Sequence, residues 1–203
     1  SYYENPASFK QEVQGDVDSI GEKWFKTVAT ETRKDIETHS FIKTMLCMDP
    51  ASTDTGKSDY SAYLVGSVSE NNLKYARNAE LARINARTDF DKYIDHAIYL
   101  LKEYPDITHV YIEKNTFNGA DANLLENKIN ADDVLRVRNI EIINEMQRKN
   151  KDDKISTIIP YMNKGQIIFA EEDQDFIKQI LEFAGQKFSL HDDAPDITAE
   201  FAN

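Results

Sequence analysis

The segment 41–48 constrains the fold more than any other part of the chain. It is short and mostly apolar, and Asp49 and Pro50 follow it directly. An apolar run of this length is typical of a strand that is buried on both faces in the middle of a sheet. Because proline cannot donate a hydrogen bond to a strand ladder, Pro50 ends the strand. The segment therefore predicts a central strand with an acidic residue at its carboxyl end.

The patterns that follow predict a mixed sheet with flanking helices. Residues 60–68 have strand character, and residues 73–84 are predicted to return as a third strand, although their alanine and glutamate content also permits a helix. Thr88 is positioned to cap an amphipathic helix that ends before Pro105. The remaining predictions, in chain order, are a strand at 107–112, a helix at 120–129, a strand at 134–143, a helix at 151–161, a strand at 166–169, and helices at 173–184 and 197–202. An antiparallel three-strand meander joined to parallel strands gives an α/β fold.

Composition limits the classes of function. The chain has 203 residues and a single cysteine, Cys47, inside the first apolar run, which excludes a disulfide scaffold and a cysteine metal cluster and favours a reducing, intracellular compartment. No apolar run approaches the ~20 residues that span a bilayer, so we expect no membrane partner. The formal net charge is −12, so any affinity for a nucleic acid must come from a local basic face, from bound divalent metal or from another domain.

The chain divides at about residue 40. Residues 1–40 contain the turn signal Asn5-Pro6 and mix charges with a few aromatic residues, so we interpret them as a lead-in segment. Residues 41–203 contain the predicted sheet and are interpreted as one domain.

Three acidic residues share a structural description. Asp49 and Glu113 each follow a predicted strand, and Asp193 lies at or just before the terminal helix. If the two strands pair in parallel, Asp49 and Glu113 are neighbours at the carboxyl edge of the sheet, where open α/β sheets place their sites. Clustered carboxylates repel each other, and hard divalent cations such as Mg²⁺ and Mn²⁺ relieve the repulsion. Two such ions can promote phosphodiester hydrolysis. A simpler interpretation of residues 191–196 is a helix N-terminus that favours acids.

The same residues resemble a known family, the nuclease domains of phage large terminase subunits. The resemblance covers nearly the whole chain, and it is carried by Asn5-Pro6 through Glu12, by Met48-Asp49-Pro50-Ala51, by residues 56–62, by Tyr111-Ile112-Glu113-Lys114-Asn115, and by residues 151–155, 165–169 and 191–196. The last segment is the most specific, and residues 114–150 are the least.

The resemblance implies an RNase H-like fold and cleavage of concatemeric viral double-stranded DNA into genome-length units, with two divalent cations, Mg²⁺ or Mn²⁺. It implies catalytic and metal-binding roles for Asp49, Glu113 and Asp193, with Asp196 as a further metal ligand, since related resolvases keep an acid there. Asp192 competes with Asp193, and His191 is a candidate to orient a metal-bound water or to cap the helix. The implied partners are an ATPase domain that residues 1–40 would join, a small terminase subunit and a capsid portal, in the host-cell cytoplasm.

Basic residues offer candidates for DNA contact. The best cluster contains Arg136, Arg138, Arg148, Lys149, Lys151 and Lys154, and Lys57 adds a loop candidate. Nearby acids also permit a salt-bridged surface with no DNA contact.

Other functions remain open from the sequence. A junction-resolvase type of nuclease is a second enzyme class. Residues 51–58 fit a relaxed phosphate-loop pattern, which would indicate a nucleotide-binding motor or switch, but a strand rather than a helix is predicted to follow. A non-catalytic interaction module of a capsid-assembly machine is the fourth alternative.

Overall fold

A seven-stranded sheet forms the centre of the computed structural model, which describes residues 21–50 and 60–203. Its order is β1-β7-β4-β3-β2-β5-β6. In this part of the chain β3 alone runs antiparallel to its neighbours, so the other six strands end at one edge, the carboxyl edge. The predicted meander and parallel strands are confirmed. The strands are β1 (Ala29–Glu31), β2 (Phe41–Asp49), β3 (Ser61–Ser69), β4 (Lys74–Ala82), β5 (His109–Glu113), β6 (Glu141–Glu145) and β7 (Ile167–Ala170).

Helices cover both faces of the sheet. They are α1 (Arg33–Ile36), α2 (Phe90–Glu103), α3 (Ala120–Asn130), α4 (Lys151–Ser156), α5 (Ile159–Asn163), α6 (Gln174–Glu182) and α7 (Asp193–Ala202). One hydrophobic core lies between the sheet and α2 and α3, and a second lies between the sheet and α4 to α7. None of these described helices is long and apolar enough to cross a membrane.

Strand β2 is buried on both sides, as its sequence predicts. Leu46 and Met48 lie in the core beneath α2, whereas Cys47 lies in the core beneath α7. This alternation follows from the two-residue period of a strand, and it places Asp49 on the same face as Cys47 and α7.

Two helix predictions are corrected in detail. The predicted helix at 151–161 is two helices, α4 and α5, and Pro160 lies in the first turn of α5, where its missing N–H costs nothing. Thr88 does not cap α2, which begins at Phe90. The side chain of Asn85 accepts hydrogen bonds from the backbone N–H groups of Arg87 and Thr88 and holds them in a turn instead.

The predicted strand at 134–143 is wrong over its first half. Residues Arg136–Arg138 form a 3₁₀ turn, and β6 begins only at Glu141. The cause is local: the carboxylate of Asp132 accepts hydrogen bonds from the N–H groups of Val134 and Leu135 and turns the chain there.

Residues 21–40 contribute to the sheet. Strand β1 pairs in parallel with β7, and the fully buried Ile36 packs against Tyr75 and Ile168. We interpreted residues 1–40, which include this segment, as a lead-in. Its connection to a preceding ATPase domain stays a prediction. Residues 1–20 and 51–59 lie outside the described residues.

Candidate metal centre

Two parallel strands bring the first two predicted acids together. Asp49 is the last residue of β2 and Glu113 is the last residue of β5. The two strands pair in parallel, and Met48 lies opposite Ile112, so the acids leave the sheet side by side at the carboxyl edge. Glu113 lies on the face of Tyr111, which packs against the α7 core.

Helix α7 supplies the third acid, and that acid is Asp196. Oxygen atoms of Asp49, Glu113 and Asp196 all lie within 4.8 Å of one another. Oxygens that ligate one Mg²⁺ at about 2.1 Å are at most about 4.2 Å apart, so small side-chain movements would allow all three to reach one ion. The cluster was predicted at this edge, and Asp196 entered the prediction as a secondary ligand.

Asp196 is the most enclosed of the three. The residue is 0 % exposed, and neither carboxylate oxygen has a hydrogen-bond partner of good geometry among the described residues, although the Lys154 ammonium lies 2.7 Å from Oδ1. A buried charge without hydrogen bonds is costly unless a cation compensates it. The Asp196 carboxylate lies in the cluster, and its oxygens fit the oxygen-only coordination that Mg²⁺ and Mn²⁺ prefer.

Local sequence explains why α7 presents Asp196 inward. Ile197 and Phe201 pack into the core, which fixes the rotation of the helix about its axis. Near its start, the Ala194 N–H donates to the side chain of Gln179 on α6, and Pro195 lies in the first turn, where proline is tolerated. The acid is therefore held by an element that is packed along most of its length.

Asp193 lies on the first turn of the same helix and is 8 % exposed. Burial, together with the negative charge of Asp192, raises the pKa of Asp193 to about 6. The charge of Asp193 adds to the effects that raise the pKa of Asp49. Asp193 does not belong to the group of three residues whose oxygens lie within 4.8 Å of one another.

Two lysines of α4 enter the acid cluster. Lys154 is 4 % exposed, its Nζ lies 2.7 Å from Asp196 Oδ1 and 3.9 Å from Glu113 Oε2, and it also pairs with Glu200. Lys151 Nζ lies 3.5 Å from Asp192 Oδ1 and 4.0 Å from Asp196 Oδ2. Both residues were predicted to contact DNA, which stays a prediction, and the structure places them among the acids.

Glu200 is the site residue that the sequence interpretation missed. It lies four residues after Asp196 on α7, so the two side chains share a helix face. Its carboxylate pairs with Lys154, and burial together with the Glu200 charge raises the pKa of the Tyr111 hydroxyl. The helical spacing of Asp193, Asp196 and Glu200 was the available signal.

The acids are not fully balanced by the two lysines. Burial, together with the neighbouring Asp196 charge, raises the pKa of Asp49 well above its usual value. Burial also raises the pKa of Glu113 to about 7, with the Lys154 ammonium opposing the shift and Glu200 adding to it. Protonation is one way to relieve such repulsion, and a divalent cation is the other.

The remaining candidates lie in different places. His191 is half-buried, and its ring meets the Tyr60 ring edge-on with the centroids 6.4 Å apart. The guanidinium of Arg138 donates to the backbone carbonyl of Ile107, which precedes β5, and Arg136 pairs with Asp133. Both arginines therefore lie away from the carboxyl edge. Lys57 and the phosphate-loop pattern at 51–58 fall outside the described residues.

Comparison with known proteins gives structural matches only. The sequence matches no protein-family model and no curated protein. The nuclease domain of the human cytomegalovirus terminase is similar, with a TM-score of 0.54 and 14% identity over 85% of this chain and 88% of that chain. A mutant nuclease domain of the large terminase subunit of the bacterial virus Sf6, solved with manganese and beta-thujaplicinol, gives 0.54 and 9% identity over 86% and 94%.

The large terminase of a thermophilic bacteriophage gives a TM-score of 0.55 and 10% identity over 81% of this chain. The present chain spans 40% of the length of that protein. At these identities the similarity concerns the fold: the chain has the RNase H-like α/β fold found in terminase nuclease domains, as predicted.

Proposed function

We propose that this chain is a metal-dependent endonuclease domain that cuts concatemeric viral double-stranded DNA into genome-length units. One observation carries the proposal. Three carboxylates from distant parts of the sequence converge within 4.8 Å at the carboxyl edge of a sheet that is shared with terminase nuclease domains. Lys154 and Lys151 offset only part of this negative charge, and binding of a divalent cation would offset the rest.

The proposed ligands are Asp49, Glu113 and Asp196 for one cation, with Asp193 beside Asp49 for a second. When bound, two divalent cations supply an activated water and stabilise charge at the scissile phosphate. The reaction would be in-line attack by water on phosphorus: the new P–O bond forms as the bond to the leaving sugar oxygen breaks, the attacking water loses a proton to solvent, and the leaving oxygen takes one up. The carboxylates fix the geometry, and Lys154 and Lys151 offset part of their charge while no metal is bound.

Solved relatives are consistent with this choice of metals. The Sf6 nuclease domain was solved with manganese, and the cytomegalovirus nuclease domain was soaked with Mn. The number of ions and the packaging role are parts of the proposal. So are the partners, namely double-stranded DNA, an ATPase domain, a small terminase subunit and a capsid portal, and the location in the host-cell cytoplasm.

The test is cleavage of supercoiled plasmid by the purified chain. With Mn²⁺ or Mg²⁺ we expect nicked and linear products, and EDTA should abolish them. Asp49→Asn and Asp196→Asn each replace a ligand carboxylate by a neutral amide of nearly the same shape. Each should lower the cleavage rate at least 100-fold. Exposed Asp175→Asn, on α6, is a matched control that should cut at the wild-type rate. Undiminished cutting by Asp49→Asn would refute the site.

A further inference from the structure

We infer that the loop 146–150 binds the phosphate backbone of the DNA substrate through Arg148 and Lys149. This inference rests on the proposed function and adds to it the surface on which the substrate lies. Because the net charge of the chain is −12, its overall charge cannot attract DNA. Two cations without ion-pair partners beside the acid cluster would supply that attraction locally.

The loop lies beside the candidate centre because of the sheet register. Strand β6 ends at Glu145, which is paired with Glu113, so the loop leaves the carboxyl edge one strand away from the acid cluster. After Asn150 the chain enters α4, whose Lys151 and Lys154 reach into the cluster. Arg148 and Lys149 are thus three and two residues before Lys151, whose side chain contacts the centre.

Hydrogen bonds fix the backbone of this loop. The Asn115 side chain donates to the Gln147 carbonyl and accepts from the Gln147 N–H, both at 2.9 Å. The Gln147 side-chain oxygen then accepts from the N–H groups of Arg148 at 2.9 Å and Lys149 at 3.0 Å. A loop whose backbone is already fixed loses less conformational entropy when it binds a ligand than a flexible loop does.

The two cations are available for a ligand. Arg148 and Lys149 are exposed, and neither forms an ion pair with any described residue. Three acids lie within four residues of the pair, and none of them forms an ion pair with it: Glu145 is exposed at the end of β6, Asp152 accepts from the Gln186 N–H, and Asp153 accepts from the side chain of Asn150. By contrast, Arg136, Lys151 and Lys154 are all paired with carboxylates. Charge complementarity therefore selects phosphate as the ligand of Arg148 and Lys149.

The test measures duplex DNA binding against salt concentration in Ca²⁺ buffer for wild type and for Arg148→Gln combined with Lys149→Gln. Each lost phosphate contact lowers the slope of log K against log[salt] by about 0.9, so the double variant should lose about 2 units. The matched control is Lys43→Gln with Lys164→Gln, two exposed lysines near the amino-terminal ends of β2 and β7, at the opposite edge. This control makes the same change in net charge and should keep the wild-type slope.

Equal salt slopes for the loop variant and the wild type would overturn the inference. So would an equal loss of slope in both double variants, or a wild-type chain that does not bind the duplex. Calorimetric Mn²⁺ binding and plasmid cutting by the wild-type chain test the proposed function separately. Both should persist if the loop assignment alone fails. If the loop assignment is right, the loop variant keeps wild-type Mn²⁺ affinity while its DNA affinity falls.

Discussion

Asp193 and Asp196 lie about one turn apart on α7 and differ in their surroundings. Asp196 is fully buried and belongs to the carboxylate trio, whereas Asp193 lies on the preceding turn with Asp192 and Lys151 as its charged neighbours. A ligand of the first cation, such as Asp196, should affect Mn²⁺ affinity more than Asp193, which is proposed only for the second cation.

We therefore predict different metal affinities for two matched variants. Asp196→Asn should weaken Mn²⁺ binding more than 100-fold, while Asp193→Asn should weaken it by about 10- to 100-fold. Calorimetric titration of both proteins with Mn²⁺ measures the difference. If Asp193→Asn has the larger effect, Asp193 is the main ligand of α7, as the sequence motif implied.

Lys154 gives a second prediction at this scale. The Lys154→Met variant removes the one ammonium that pairs with both Asp196 and Glu200 among the described residues, and breaking a buried ion pair in this way costs about 3–5 kcal/mol. Urea unfolding in EDTA should show that loss, and saturating Mn²⁺ should restore part of it because the ion replaces the lost charge. Exposed Lys164→Met is the control. A variant as stable as wild type in EDTA would contradict the account.

Contact between two elements controls where Asp196 lies. Gly66 on β3 faces the Phe201 ring of α7, and a Cβ at Gly66 would lie 2.3 Å from a ring carbon. The helix therefore approaches the sheet closely at its last turn because residue 66 has no side chain.

This contact predicts the effect of Gly66→Ala. The added methyl should push α7 away from β3, cost about 1–3 kcal/mol of unfolding free energy, and weaken Mn²⁺ binding by displacing Asp196. Chemical unfolding and calorimetry provide the two measurements. Adding Phe201→Leu to the Gly66→Ala chain should recover part of both losses, since the smaller side chain leaves room for the methyl. Unchanged Mn²⁺ affinity in Gly66→Ala would show that the contact between Gly66 and Phe201 does not control the position of Asp196.

Elements also show what the sequence could predict. The strands β2, β3 and β5 follow apolar and β-rich runs, so the carboxyl edge with Asp49 and Glu113 was predictable. The choice between Asp193 and Asp196 was not, because it depends on the rotation of α7, which Phe201 and Gly66 set through contacts distant in sequence. Lys154 was read as a surface cation, since nothing in its local sequence indicates that α4 packs against α7.

At the scale of the whole molecule, the acid cluster should make stability depend on pH. In the metal-free protein the pKa values of Glu113, about 7, and Asp193, about 6, lie above their ordinary values of 4.5 and 3.8. Raised carboxyl pKa values contribute stability that is fully present below the ordinary pKa and is lost as the pH rises through the folded-state pKa.

The Tm in EDTA should therefore fall as the pH rises from 5 to 8. Saturating Mn²⁺ should reduce or reverse the fall, because the ion binds the ionised ligands. At 100-fold over the Kd, binding adds about 2.7 kcal/mol, which corresponds to about 5–10 °C for a domain of this size. Thermal unfolding in EDTA and in Mn²⁺ at several pH values tests this. A Tm in EDTA that is constant or rises over this range would argue against the repulsion.

The central claim is that the acids at the carboxyl edge jointly hold a divalent cation. Anomalous diffraction from crystals soaked in Mn²⁺ tests it most directly. The account predicts a manganese peak at about 2.1 Å from oxygens of Asp49, Glu113 and Asp196, with Lys154 displaced toward Glu200. Saturating Mn²⁺ that leaves this position empty, or binds only at other residues while the three carboxylates stay in place, would contradict it.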